Sequence, residues 1–259
     1  LIDIFCVCKA WYARFDHRDF NLWQFISIEY GVVFDLRSTN YRKFLITSYA
    51  KNQLVKLIEF FDAISTNPKL MLPLLDSGKI NKMICSFWTC VVSVPMSGRK
   101  KVAEAAIRAF SNFATTFFNE RIWLVAVPGL LSTLAILCGE EDLLRNSHQI
   151  VNAIGRFTFY LTVLDSARAT VLIDAGWADL LVKAIRARRD DAEAVELICT
   201  AIQSLLLLHD DSPCRTAFIK AGAIAVLQET IQNYSPKSNF PDQFITKQCN
   251  ESLEMLMKE

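Results

Sequence analysis

Histidine is nearly missing: three residues in 259, scattered along the chain, are too few to supply a metal ligand set or a relay of general bases. There is no GxGxxG, no Walker loop and no GxSxG, which removes the usual sequence signs of dinucleotide binding, phosphate cradling and a nucleophile elbow. Cys6-x-Cys8 and Cys85-x4-Cys90 fit no zinc spacing. The carboxylate pairs Asp190-Asp191 and Asp210-Asp211 fall at helix starts, where they complement the helix dipole. No catalytic residue, metal or cofactor is therefore expected, and the chain reads as a non-enzyme.

Long apolar runs are lacking too. The longest apolar-rich stretches, Leu205–Leu208 and Phe157–Leu161, fall far short of the ~20 residues of a spanning helix, so no membrane span is expected, and no signal-peptide pattern is seen. Neither sign of charge dominates, with 28 basic against 27 acidic residues and a net charge of +1. Global attraction to nucleic acid or to an acidic membrane is not expected. The two basic clusters are Arg99-Lys100-Lys101 and Arg186, Arg188, Arg189, and Asp190-Asp191 directly follows the second.

What the chain has is apolar residues, 52% of the total, with a mean hydropathy of +0.24. Eight cysteines sit in or beside apolar helical stretches without paired spacing, which reads as reduced core thiols of a cytoplasmic or nuclear protein. Glycine, with eight residues, is used as punctuation. Ala217–Ile231 repeats a sentence written at Val171–Ile185 and, in decayed form, at Val125–Leu137 and Leu74–Ile84. All share an apolar-apolar-x-x-Gly-x-apolar skeleton, with Gly78, Gly129, Gly176 and Gly222 about four dozen residues apart. A fixed period of ~20–50 residues marks stacked repeats. Each glycine reads as a corner at which a short helix ends in the left-handed conformation and a second helix leaves.

The unit around Ile219-Lys220-Ala221-Gly222-Ala223-Ile224, preceded by Cys199–Leu208, resembles the armadillo repeat family over about 51–259. That resemblance implies an all-α fold, a right-handed α-solenoid of about four armadillo-like repeats with helical caps. Two regions follow, 1–49 and 50–259.

Residues 1–49 do not follow the repeat. Val7, Cys8, Lys9 and Trp11, then Leu22 and Trp23, resemble the second half of an F-box, whose opening Leu-Pro helix is not among these residues. If F-box-like, Val7, Lys9, Trp11, Leu22 and Trp23 are implied to contact a Skp-type adaptor. The other reading is a helical cap in which Trp11, Phe15, Phe20, Trp23 and Phe25 cover the end of the stack. The two readings are compatible.

Apolar periodicity predicts helices over 40–64, 79–93, 101–118, 120–127, 130–138, 146–164, 167–174, 177–188, 191–208 and 242–258, with Glu140-Glu141-Asp142 a solvated loop and 234–242 linker-like. Asp165 or Ser166 is expected to cap 167–174, and Pro213 to open the helix before Gly222.

In armadillo-like stacks the third helices line a concave groove. Taking Phe110, Phe157, Ile202 and Leu253 as equivalent core positions puts Arg108, Gly155, Thr200 and Glu251 in one groove row. The next holds Asn112, Phe159, Ser204 and Met255. In peptide-binding members of the family the latter row is an asparagine ladder. Only Asn112 keeps it, which disfavours that mode of binding extended peptides. Phe159 with Tyr160, flanked by Arg108, Asn112, Thr200 and Ser204, has the composition of a hot spot.

The expected function is a non-catalytic protein-interaction scaffold. The resemblance at Val7–Trp23 implies a substrate receptor of a Skp/cullin-type ubiquitin ligase. The alternative is a structural or assembly subunit of a large multiprotein or cytoskeletal complex.

Overall fold

The structure is a computed structural model that describes residues 67, 99–116, 125, 129–163, 166–207, 213–235 and 242–258. The expected corner at Gly78, the helices at 40–64, 79–93 and 120–127, and the N-terminal positions Val7, Lys9, Trp11, Leu22 and Trp23 lie outside the described residues. Within them the fold is helical, with no strand. In chain order the helices are α1 (Arg99–Thr116), α2 (Leu130–Cys138), α3 (Glu141–Asn146), α4 (His148–Thr162), α5 (Ser166–Asp174), α6 (Trp177–Ala187), α7 (Ala192–Leu207), α8 (Pro213–Ala221), α9 (Ala223–Tyr234) and α10 (Gln243–Met257).

Three of the four expected corner glycines take the left-handed conformation. Gly129, Gly176 and Gly222 have φ of 74°, 85° and 84°, the left-handed region in which a Cβ is costly. At Gly176 the N–H donates to the carbonyl of Ile173 at 3.0 Å while its own carbonyl accepts from Leu180 at 3.3 Å. One residue thus ends α5 and begins α6, and Gly222 repeats the arrangement between α8 and α9.

The long helices pack in series, α1 on α4, α4 on α7, and α7 on α10. The helices after each glycine do the same, α2 on α6 and α6 on α9, and the short α5 packs on α8. Between α4 and α7 the contacts keep a near-constant offset. Asn152 donates to Glu193 at 3.1 Å, Gly155 lies against Leu197, and Thr162 and Ser204 share a hydrogen bond at 3.2 Å. Contacts at the start, middle and end of both helices with the same sequence offset require that α4 and α7 run parallel.

One continuous core joins these layers. Phe110, Phe157 and Ile202 have no exposed surface and Leu253 only 9%, as their equivalence predicts. Trp177, the first residue after the Gly176 corner, is fully buried. Its ring lies 5.2 Å from that of Phe157, and its Nε1–H donates to the carbonyl of Leu131 at 3.3 Å, so it ties α6 to both α4 and α2. Three buried threonine hydroxyls are satisfied inside their own helices. Thr158 donates to Ile154, Thr162 to Thr158 and Thr230 to Val226, the back-bonding by which Ser and Thr are tolerated in helix interiors.

Three local expectations change. Glu141 and Asp142 are the first turn of the helix α3 rather than a loop, where their charges complement the N-terminal dipole. The helix expected over 146–164 starts two residues later, at His148, because the Ser147 side chain accepts the Ile150 N–H and caps α4. Ser166 is already helical, so of the two proposed caps of α5 it is not one, and Asp165 lies outside the described residues. Pro213 does open α8, where its missing N–H costs nothing. Asp242 caps α10 by accepting from Phe244 and Ile245 at 2.9 and 3.1 Å.

Candidate functional site

The long helices α1, α4, α7 and α10 carry every described candidate residue. Arg108 and Asn112 are half-buried on α1, one turn apart and so on one face. Phe159 and Tyr160 are half-buried near the end of α4, their rings edge-to-face at 5.2 Å and 76°, a favoured geometry for an aromatic pair. Thr200 is half-buried on α7 and donates to the carbonyl of Glu196 at 2.9 Å.

Ser204 behaves differently from its expected place in the groove. It is 9% exposed, donates to Ala201 O at 2.8 Å and shares the bond with Thr162. It belongs to the α4–α7 interface, and its hydroxyl is engaged there. Gly155 is likewise an interface residue, since a Cβ built on it would meet the backbone and Cβ of Leu197 at 3.1 Å. The absent side chain at Gly155 lets α7 approach α4.

A polar cluster that the sequence reading did not assemble lies at the start of α4. His148 Nδ1 is 2.6 Å from Asp191 Oδ2, and Nε2 is 2.7 Å from Asn152 Nδ2. The Asn152 amide also donates to Glu193 at 3.1 Å, which fixes its nitrogen toward the ring. With Nε2 accepting from that amide, the ring proton sits on Nδ1 and donates to Asp191. Arg188 adds a charge 3.5 Å from the same carboxylate oxygen and donates to Arg145 O at 3.1 Å.

Asp191 also caps α7, its Oδ1 accepting the Ala194 N–H at 3.2 Å. Partial burial alone would raise its pKa. The hydrogen bond from His148, the Ala194 N–H and the charge of Arg188 outweigh burial and hold it below the ordinary value. Chemically this cluster is a clamp. The imidazole lies between a helix-capping carboxylate and an amide, and all three groups join α4 to the turn before α7. The spacing could have revealed it. Aligning Phe157 with Ile202 already sets His148 level with Glu193.

At the other end, α10 turns Lys247, Asn250 and Glu254 to solvent, and Lys247 pairs with Glu251 at 3.7 Å. Among the described residues no group of three or more His, Cys, Asp or Glu could hold a metal ion, and no helix is long and apolar enough to cross a membrane. Comparison with protein-family models, with curated proteins and with solved structures yields no match.

Proposed function

We propose that this chain is a non-catalytic protein-interaction scaffold, built as a right-handed armadillo-like solenoid of about four repeats and gripping its partner along the long helices. The observation that carries the reading is the recurrence of one corner. Three glycines with φ near +80° are each followed by a helix, and these helices pack in series, α2 on α6 and α6 on α9. Serial packing of that kind produces extended surfaces that suit protein partners better than enclosed chemistry.

The proposed grip is centred on Phe159 and Tyr160, with Arg108, Asn112 and Thr200 around them. Support comes from their partial exposure on three successive long helices. Ser204 and Gly155 are left out of the contact set, because both are engaged between α4 and α7. The His148 cluster acts as a clamp between layers, in keeping with a scaffold.

The specific version is a substrate receptor of a Skp/cullin-type ubiquitin ligase. Its support is the F-box resemblance at Val7, Lys9, Trp11, Leu22 and Trp23. The second reading is a brace within a large multiprotein or cytoskeletal assembly. Binding of a purified Skp-type adaptor, measured with wild type and with Trp11→Ala and Leu22→Ala, separates the two. Micromolar or tighter binding that these substitutions abolish supports the receptor, and no binding supports the brace.

A further inference from the structure

We propose that Cys199 and Cys249 form a reversible disulfide that fastens α10 to α7 when the protein meets a peroxide. The two residues are 50 positions apart on different helices, yet their sulfurs stand 3.7 Å from one another. Both are free thiols with no exposed surface. Neighbouring bonds hold the two helices in this register. Gln203, one turn after Cys199 on α7, donates to Gln248 O at 3.0 Å and to Ser252 Oγ at 3.3 Å, which flank Cys249 on α10. The other described cysteines are placed differently, Cys214 donating to the carbonyl of Leu205 and Cys138 lying in the core of α2.

The chemistry balances in two steps. One thiol sulfur attacks a peroxide oxygen, the O–O bond breaks, and with hydrogen peroxide one water leaves as the sulfenic acid forms. The second thiol then attacks the sulfenic sulfur, the S–OH bond breaks, and a second water leaves as the S–S bond forms. Two thiols lose two electrons and two protons, and one peroxide becomes two waters. The sulfurs must close from 3.7 Å to roughly 2.05 Å.

Rate and location follow from the surroundings. The hydrogen bond with Cys249, and then burial, push the Cys199 thiol well above its ordinary range, so thiolate is scarce in the closed protein. Oxidation therefore proceeds through openings of α10, whose packing partners are α7, α8 and α9. Once formed, the bond closes a loop containing α8 and α9, and a cross-link of that length stabilises chiefly by restricting the unfolded chain. The proposal stands apart from the partner reading, because it concerns only how the last long helix is held.

The test is peroxide treatment of the folded protein at neutral pH, then alkylation in denaturant and peptide mapping. Trypsin together with a protease that cuts before Asp210 separates Cys199 from Cys214. The expected result is a peptide joining Cys199 to Cys249 that dithiothreitol releases, with a melting temperature raised by several degrees until the reductant is added. Cys199→Ala and Cys249→Ala should each abolish the linked peptide and the rise, and Cys214→Ala should keep both. The proposal is overturned if both thiols stay alkylatable after other cysteines have reacted, or if they become sulfinic acids without linking. A linked peptide with no change in melting would overturn the fastening role. Because the mapping uses wild type, it decides the matter even if an alanine variant fails to fold.

Discussion

Gly155 on α4 lies so close to Leu197 on α7 that a Cβ built on it would stand 3.1 Å from the Leu197 carbonyl carbon, carbonyl oxygen and Cβ. Backbone atoms within a helix cannot step aside as a side-chain tip can, so the approach of the two long helices depends on glycine here. Gly155→Val is expected to destabilise the protein by about 1–3 kcal/mol through overpacking, even though glycine is a poor helix former. Urea denaturation measures it. A neutral or stabilising result would mean that α4 and α7 do not approach at this point.

A different cost applies at Gly176. Nothing lies within 4 Å of a Cβ there, and φ is +85°, so the penalty of Gly176→Ala is conformational alone, about 1–2 kcal/mol. Gly176→Asn should cost less, since asparagine tolerates the left-handed region better. Equal losses for Ala and Asn in thermal melts would contradict a left-handed corner.

Glycine conformation is also where the sequence was most legible. Gly129, Gly176 and Gly222 could be picked out because few residues other than glycine take that backbone readily, and the long helices because a broad apolar face leaves a period. The alignment of Phe110, Phe157, Ile202 and Leu253 found the core. It did not find which flank of each helix meets its neighbour. Equivalent residues of α4 and α7 differ by 45 positions, whereas contacting ones such as Thr162 and Ser204 differ by 42. Contacts thus run nearly one turn out of step with the repeat, which carried Ser204 and Gly155 into the interface. Ser147 was overlooked as a cap because the apolar period runs through it, although a serine placed directly before an apolar-periodic stretch carried the signal.

The Asp191 clamp predicts a pH dependence. Its folded pKa lies below the ordinary value, so it contributes stability that is fully present above the unfolded value of about 3.9 and is lost as pH falls through the folded one. Asp191→Ala should cost about 1 kcal/mol at neutral pH, the usual worth of an N-cap. The urea midpoints of wild type and variant should converge as pH drops below about 4. A difference independent of pH down to strongly acid conditions would contradict the clamp.

Phe157 and Phe159 sit two residues apart with opposite expected consequences. Phe157 is fully buried against Trp177, so Phe157→Ala should cost about 3–5 kcal/mol. Phe159→Ala should leave the melting temperature within a few degrees and reduce the set of proteins co-purified by affinity capture. A loss of stability at Phe159 comparable to that at Phe157 would remove it from the proposed grip.

The central claim, that the long helices succeed one another in a row, is tested most directly by the distance from the first to the last. Spin labels carried on a noncanonical keto amino acid at Glu104 of α1 and Glu254 of α10 avoid the native cysteines, and pulsed dipolar spectroscopy reads their separation. Three successive packings at 8–10 Å predict roughly 25–35 Å once the label arms are allowed for. A separation of about 10 Å, the spacing of directly packed helices, would place α1 against α10 in a closed bundle and contradict the account.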